Sequence, residues 1–392
     1  MTPGQAGCAA VLALLAGCAG PEPAPRFAVR DSSGISIAES RAPRWQQGEE
    51  WTVDSMPFLD IGGGGEGPAY EFDTIEDALR LDDGSIVVVE FGQGLIRRFG
   101  ADGRLVWATG REGEGPGEYN RIRNITSYPG DSILVYDFWL GRATVLDRDG
   151  KFGRVFRIEA TGRSDRVYPV DDTTLVAVYL SLQALERGAG LVRMPEPLVR
   201  ARPDGAVVDT IAVIPGGESF MVPEGEVRPL FGRRGSQVAV AGGRVYTGTA
   251  DQLAYGIRSP DGRLLRLVRA AGPDLALSAS QIEGERQTLL NPRTPTWLRD
   301  AVAALPAPAT RPAYSQLLVD ESGHVWLAPY RGRSESGIPM PWQVFDADGD
   351  WLGEVQIPER VRVKRIGADY VLGVRPDQDD VEHLQLLRLT RH

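Results

Sequence analysis

The side chains that most often carry out chemistry are few in this sequence and are poorly spaced for it. The histidines, His324, His383 and His392, lack the close spacing of metal ligands. A classical serine hydrolase needs a catalytic histidine and commonly a G-x-S-x-G turn, and no such turn occurs. Both cysteines, Cys8 and Cys18, lie in the first twenty residues. The body of the chain therefore has no disulfide, no cysteine ligand for zinc and no cysteine nucleophile.

Four polar side chains near the starts of predicted strands remain as candidates: Glu76, Arg123, Asn124 and Tyr314. The oxygen atoms of Glu and Asn suit a hard cation such as calcium. No third and fourth acidic ligand stands in register with Glu76 and Asn124, so the sequence predicts no metal site and favours polar side chains around water. The acidic run Asp346–Asp350 lacks the spacing of a calcium loop and is interpreted as a hairpin turn.

The N-terminus carries an export signal. Residues 8–16, CAAVLALLA, form an apolar run that is too short to span a bilayer but suits a signal peptide. The run ends in Leu-Ala-Gly-Cys18, which resembles the bacterial lipobox, in which the cysteine is lipidated and becomes the mature N-terminus. This resemblance implies a signal peptide over residues 1–17 and several acyl chains on Cys18, enough for a stable anchor. Ala19, rather than Asp, follows the cysteine and favours the outer membrane.

One alternative for the N-terminus stays open. Residues 1–7 contain no Lys or Arg, although signal peptides usually begin with a positive segment. The alternative is therefore a cleaved secretory peptide in which Cys18 is incidental. Residues 18–34 are predicted to form a tether, since their first part, AGPEPAPR, is rich in proline.

An internal repeat organises residues 35–392. Residues 75–107 and 122–156 align as two units of four strands each, and Asp-Gly pairs at Asp102 and Asp149 mark hairpin turns. The pattern recurs with more drift in residues 167–213, 237–268 and 315–357 and in the C-terminal stretch. Four antiparallel strands per unit are typical of a propeller blade. The sequence therefore predicts an all-β fold, a six-bladed β-propeller, with five or seven blades as alternatives.

The last unit supplies only three strands, so the ring needs a strand from elsewhere. A propeller leaves no open edge, and the segment 35–61 contains two strand-like stretches, GISIAES and EWTVDSMPFLDI. We expect one of them to close the last blade. A helical insertion is predicted near residues 278–305, with a capping box formed by Ser280 and Glu283, and a second insertion over residues 182–197.

Two connectors resemble a known family. Residues 65–72, GEGPAYEF, and 114–119, EGPGEY, resemble the G-x-G-P-G-E-F connectors of bacterial six-bladed β-propeller lipoproteins, which are similar to NHL-repeat proteins. Tyr136-Asp137 followed by Arg142 is similar to the NHL pattern. The resemblance implies a propeller whose innermost strands line a central channel, with Glu76, Arg123, Asn124 and Tyr314 as channel-lining residues. It does not imply one function, because such propellers serve as binding modules, lactonases and lyases.

Two functional hypotheses follow from these patterns. The favoured one is a non-enzymatic, lipid-anchored module of the cell envelope that binds a peptide, protein or glycan without a cofactor. The alternative is a calcium-dependent hydrolase or lactonase that uses the central channel. The formal net charge of −10 disfavours nucleic acid as a partner, and the membrane is expected to be contacted through the lipid anchor alone.

Overall fold

Three strands precede the first repeat in the computed structural model, which describes residues 24–64, 67–158, 163–180, 190–232, 235–333 and 341–392. They are β1 (Phe27–Ser32), β2 (Ile35–Ser40) and β3 (Thr52–Gly62). β1 pairs antiparallel with β2, so residues 27–32 form a strand and not part of the predicted tether. Five of the six residues of β1 are exposed, and an exposed strand leaves no apolar alternation to detect.

The two well-aligned repeats each form a four-stranded antiparallel sheet. The strands of the first sheet are β4 (Ile75–Arg80), β5 (Ile86–Glu90), β6 (Ile96–Phe99) and β7 (Leu105–Thr109), and those of the second are β8 (Ile122–Tyr128), β9 (Ser132–Asp137), β10 (Arg142–Leu146) and β11 (Phe152–Phe156). A short 3-10 helix, Pro68–Tyr70, precedes the first sheet. Every residue of β5 is buried, because both faces of this strand pack against protein.

The third sheet contains an elongated hairpin. Its strands are β12 (Arg163–Pro169), β13 (Leu175–Leu180), β14 (Gly190–Ala201), β15 (Val207–Val222) and β16 (Gly225–Val227). Residues 190–197 belong to β14, so this part of the predicted insertion over 182–197 is a strand, and the remainder lies outside the described residues. The β14–β15 ladder accommodates Pro195 at a shift in register.

The remaining three sheets use all the other strands. The fourth sheet contains β17 (Gln237–Ala241), β18 (Arg244–Gly248), β19 (Ala254–Arg258) and β20 (Leu264–Ala270), and the fifth contains β21 (Gln316–Val319), β22 (Val325–Ala328), β23 (Trp342–Phe345) and β24 (Trp351–Val355). β2 pairs in parallel with β20 and extends the fourth sheet. The sixth sheet contains β25 (Arg362–Ile366), β26 (Tyr370–Pro376) and β27 (Glu382–Thr390). β3 pairs antiparallel with β27 as its fourth strand.

The hydrophobic core is divided into layers between consecutive sheets. One layer packs Val87 and Ile96 of the first sheet against Ile133 and Val135 of the second. Further layers join the second sheet to the third, the third to the fourth, the fourth to the fifth and the fifth to the sixth. Another layer packs Leu372 and other residues of the sixth sheet against the first. Each sheet is thus apolar on both faces, which explains why its central strands are continuous apolar runs.

The helical insertion forms two short helices, α1 (Ala279–Thr288) and α2 (Thr296–Ala304), within the predicted region 278–305. The N-cap of α1 is Ser278, and its capping box uses Gln281. The predicted pair, Ser280 and Glu283, was therefore wrong by two residues, because the chain enters the helix earlier than the Ser-x-x-Glu spacing indicated. Neither of the two described helices has the length and apolar character that a membrane crossing requires.

The two serines at the start of α1 give a matched test of this cap. Ser278→Ala removes the oxygen that accepts the backbone N–H of Gln281 and is expected to lower the free energy of unfolding by about 1 kcal/mol. Ser280→Ala is expected to change it by only a few tenths of a kcal/mol, since Ser280 lies inside the helix. Urea unfolding of both variants decides between the two assignments, and a larger loss in Ser280→Ala would contradict the cap at Ser278.

Candidate functional site

A cavity of about 590 Å³ lies where the innermost strands of all six sheets converge. Residues of β4, β8, β12, β17, β21 and β25 line it. Two of the described lining side chains are acidic, Glu76 and Asp77. Seven are basic, and they are Arg123, Arg166, Arg331, Arg360, Arg362, Lys364 and Arg365. The cavity is therefore basic inside a protein whose formal net charge is −10.

A β-bulge recurs near the start of four of these innermost strands. The pairing register of each strand with its neighbour shifts across one residue, and the skipped residues are Glu76, Arg123, Asp165 and Lys364. A bulge leaves its extra residue outside the ladder and re-aims the side chain. The fold thus turns one charged residue per strand out of the regular pattern at the same level of four neighbouring sheets. These four residues are called the bulge residues below.

The bulge residues connect consecutive strands. Arg123 Nη1 donates to Glu76 Oε1 at 2.8 Å, and Arg123 Nε donates to Asp165 Oδ1 at 3.1 Å. Lys364 Nζ donates to the carbonyl oxygen of Glu76 at 2.6 Å and to that of Ile75 at 3.2 Å. Burial lowers the pKa of Lys364, because desolvation disfavours the charged ammonium group. The innermost strands β25, β4, β8 and β12 are therefore joined by side chains as well as by packing.

The residues that follow the bulges hold the backbone in place. Arg365 binds both carboxylate oxygens of Asp77 at 3.0 Å, and Asp77 also accepts the N–H of Ile125 at 3.0 Å. The side-chain amide of Asn124 donates to the carbonyl oxygen of Val167 at 2.9 Å and accepts the N–H of Val167 at 3.3 Å. Asp77 and Asn124 are buried, so their polar atoms serve the fold.

The oxygen atoms that a calcium site would need have protein partners. The guanidinium of Arg123 lies between Glu76 and Asp165, the place where a cation shared by these carboxylates would bind. The amide oxygen of Asn124 is already occupied by a peptide N–H. Among the described residues, no group of three or more His, Cys, Asp or Glu side chains is arranged to hold a metal ion. The donors that the calcium hypothesis requires are therefore engaged with protein groups.

Three of the four candidate residues line the cavity, and Tyr314 does not. Tyr314 is 1% exposed and packs in the core layer between the fourth and fifth sheets. Its hydroxyl donates to the carbonyl oxygen of Ala254 at 2.9 Å. Tyr314 was predicted to line the channel because it lies just before a strand, but it precedes the first residue of β21 by two positions and turns into the core.

Sequence reasoning missed Asp165, Lys364 and Arg365. The pattern that marks these residues is an apolar or small residue followed by two polar residues near the start of the innermost strand. It occurs as Ile-Glu-Asp from residue 75, Ile-Arg-Asn from 122, Ser-Asp-Arg from 164 and Val-Lys-Arg from 363. The last two lie in units whose repeats drift, and the pattern emerges only when the innermost strands are aligned on their bulges.

The histidines stand apart from this cavity. His324 contacts the buried carboxylate of Asp320 with Nδ1 at 3.2 Å and packs edge-on against Trp51. His383 lies on β27, where Nδ1 is 2.7 Å from Asp60 of β3. Neither residue lines the cavity, so neither supplies a base there.

The residues that carry the family resemblance have structural roles. Asp137 accepts the N–H groups of Asn120, Arg121 and Leu140 at 2.7, 3.2 and 2.9 Å. Arg142 donates to the carbonyl oxygens of Glu114 and Gly115 at 2.8 and 2.9 Å. The motif thus fixes the connector between two sheets, and its presence gives no information about chemistry.

Comparisons with known proteins support the fold. No family model matches the sequence, and no curated protein matches it. The structure is similar to that of an inferred exported protein from Bacteroides fragilis, with a TM-score of 0.52 and 12% identity over 91% of this chain and 99% of that one. It is also similar to a member of the DUF4221 family from Bacteroides vulgatus, with a TM-score of 0.51 and 12% identity over 88% and 99% of the two chains.

At this level of identity the likeness extends to the fold alone. The described residues form several four-stranded antiparallel sheets and two short helices, and the innermost strands surround a shared cavity. The chain is an all-β protein with the architecture of a β-propeller.

Proposed function

We propose that this chain is an exported, lipid-anchored propeller of six blades that acts as a binding module for a peptide, protein or glycan. The six-blade ring is supported by the six sheets, by the core layer between the sixth and the first and by the pairing of β3 with β27. Pairing of the N-terminal strand with the last unit leaves the ring without an open edge. The resemblance of the two connectors to those of bacterial six-bladed β-propeller lipoproteins supports the same proposal.

The observation that carries the binding function is the cavity itself. It is large enough for a small ligand or a short chain segment, and all six innermost strands contribute to its walls. Several of its polar side chains, among them those of Asp77, Arg123 and Asn124, are held by one another and by backbone groups, which preorganises this part of the surface. Among the described residues, no nucleophile lies beside a general base in the cavity. The oxygen donors that a calcium-dependent hydrolase would need are bound to protein groups. Binding is therefore preferred to hydrolysis.

Two adjacent residues of β8 allow a direct test of binding in the cavity. Thr126 lines the cavity, whereas its neighbour Ser127 is exposed and does not line it. The detergent-solubilised full chain is applied to peptide and glycan arrays, and the hits are measured again with Thr126→Trp and Ser127→Trp. A tryptophan at 126 fills part of the cavity and is expected to abolish binding, while one at 127 leaves it intact. Equal binding by both variants contradicts a cavity site, and an array without hits contradicts a peptide or glycan as the ligand.

The anchor is a separate part of the proposal. Cys18 lies outside the described residues, and its lipidation is inferred from the sequence. Cys18→Ser is expected to move the protein from the membrane fraction to the soluble fraction, because anchoring requires the acyl chains on that residue. Fractionation and immunoblotting measure the change, with Cys8→Ser as the control that stays in the membrane. Retention of Cys18→Ser in the membrane would refute lipidation.

A further inference from the structure

The cavity contains more positive charge than its carboxylates neutralise. Arg365 is matched by Asp77, Arg362 by Glu382 and Arg360 by Asp380. Arg123 is matched by Glu76 and Asp165 together. Among the residues that the structure describes, these five carboxylates set against the seven lining cations leave an excess of two positive charges. This excess is a property of the innermost strands, since the protein as a whole is acidic.

Three of the seven cations have no hydrogen-bonded carboxylate among the described residues, and they come from three different sheets. Lys364 of the sixth sheet donates to carbonyl oxygens only. Arg166 of the third sheet has its nearest carboxylate contact at 3.6 Å, to Asp165 Oδ2, and its Nε makes no hydrogen bond. Arg331, which follows β22 in the fifth sheet, has no carboxylate partner in the part of the chain that the structure describes. The side chains therefore face the cavity from several directions.

Arg331 also belongs to the wall of a second cavity. This space of about 290 Å³ shares Ser315, Pro329 and Arg331 with the central cavity and adds Arg228 and Arg333. Its one acidic lining residue is Glu285 of α1, which is 2% exposed and accepts the backbone N–H of Arg333 at 2.9 Å. The helical insertion thus borders a basic approach to the central cavity.

Like charges gathered in a partly enclosed site repel one another, and the repulsion is relieved when an anion binds among them. Guanidinium groups match carboxylate and phosphate oxygens in geometry as well as charge. Long polyanions are disfavoured, because the acidic exterior repels them. A small ligand that enters the cavity escapes most of this repulsion, since exposed charges are screened beyond about 8–10 Å at moderate salt.

We infer that the central cavity binds a small ligand carrying two or more carboxylate or phosphate groups, held by Arg166, Arg331 and Lys364. This inference rests on the proposed binding function and specifies the chemistry of the ligand. Two groups are required because the cations stand on different sheets, so that a single anionic group contacts only part of the set.

Calorimetric titration of the full chain with citrate, pyrophosphate and the neutral sugar maltose tests the inference. Citrate or pyrophosphate is expected to bind, with a Kd that rises as sodium chloride is increased from 50 to 300 mM, and maltose is not. Binding of citrate alone identifies carboxylate as the ligand chemistry, and binding of pyrophosphate alone identifies phosphate. Failure of both anions to bind overturns the inference.

Single charge removals locate the site. Arg331→Gln and Arg166→Gln are each expected to raise the Kd of the bound anion roughly tenfold or more. Arg104→Gln removes the same charge from a side chain that is 85% exposed on a turn and is expected to leave the Kd unchanged. Equal effects of Arg331→Gln and Arg104→Gln would show a diffuse surface effect and overturn the inference.

The two proposals fail in distinguishable ways. If arrays yield a neutral ligand whose binding is lost in Thr126→Trp while no anion binds, the binding function stands and the anionic ligand is wrong. If neither the arrays nor the anions give binding, both are wrong.

Discussion

Asp320→Asn is expected to lower the free energy of unfolding by about 3–5 kcal/mol, because it breaks a buried ion pair from one side. The carboxylate of Asp320 is fully buried. It accepts the N–H of Trp326 at 2.9 Å and that of Arg391 Nη2 at 2.8 Å, together with backbone N–H groups of the β21–β22 turn. An asparagine at this position retains one acceptor oxygen, but its side-chain NH2 group faces N–H groups that need an acceptor.

The magnitude follows from what Asp320 connects. Arg391 lies beyond β27, and its guanidinium stacks over the ring of Trp51, which precedes β3, at 4.5 Å. Asp320 therefore ties a turn of the fifth sheet to the residues that flank the two paired strands β27 and β3 of the sixth. Loss of the carboxylate leaves the positive charge of Arg391 half-buried without its partner, and the desolvation of that charge is then uncompensated.

Urea unfolding at pH 7 measures this effect, and Asp379→Asn on an exposed turn is the control that should change stability by less than about 0.5 kcal/mol. Arg391→Met and the double variant complete a mutant cycle, in which the two losses should be strongly non-additive. A loss near 1 kcal/mol for Asp320→Asn, or full additivity in the cycle, would show that the pair is not the connection described.

The same interaction predicts a pH dependence. Burial by itself would raise the pKa of Asp320, but hydrogen bonds from His324 and Trp326 and the charge of Arg391 lower it overall. A carboxyl whose pKa is lower in the folded state contributes stability above its unfolded-state pKa and loses it as the pH falls through the folded-state value. The difference in the free energy of unfolding between the parent and Asp320→Asn should therefore be largest near pH 7 and should shrink below pH 4.

The sequence predicted the repeating architecture because each strand pair carries its own local signals. The Asp-Gly turns at Asp102 and Asp149 and the apolar runs of β5 and β9 depend on neighbours within about ten residues. Strand β1 was not predicted, because five of its six residues are exposed and it therefore has no apolar face. Likewise, the register-shifted ladder that accommodates Pro195 depends on β15, about twenty residues away.

The cavity was predicted only in part, for a similar reason. Glu76, Arg123 and Asn124 were found through the two units that align well. Lys364 and Asp165 lie in units without clear boundaries, and a bulge is a property of strand pairing that no single strand encodes. Tyr314 was misplaced because the direction of a side chain just before a strand depends on the packing of two sheets. The imbalance of charge in the cavity became visible only once the innermost strands were brought together.

Glu196→Gln is expected to remove a pH dependence of stability worth about 3 kcal/mol. Burial raises the pKa of Glu196 from 4.5 to about 7, and the charge of Asp165 adds to the effect, whereas a hydrogen bond from Gly217 and the charges of Arg193 and Arg166 oppose it. The folded state therefore binds an extra proton between these two pH values. The stability of the parent protein should fall as the pH rises from 4.5 to 7 and stay level above that range.

Urea unfolding from pH 4.5 to pH 8 measures this slope. The stability curve of Glu196→Gln should be flatter, and its free energy of unfolding should exceed that of the parent by about 3 kcal/mol at pH 8, because a neutral amide avoids the cost of burying a charge. Glu224→Gln makes the same change at an exposed position and should keep the slope of the parent. Retention of that slope in Glu196→Gln would mean that another group titrates.

Asp165 links this titration to the cavity. It is one of the bulge residues and accepts a hydrogen bond from Arg123, and its charge contributes to the raised pKa of Glu196. Asp165→Asn should therefore lower the pKa of Glu196 and move the fall in stability to lower pH. An anion bound at Arg166 should act in the opposite direction, because it neutralises a positive charge that favours the ionised carboxylate. The midpoint of the pH-dependent fall in stability should then rise with citrate or pyrophosphate in the parent, whereas Glu196→Gln should show no such fall to shift.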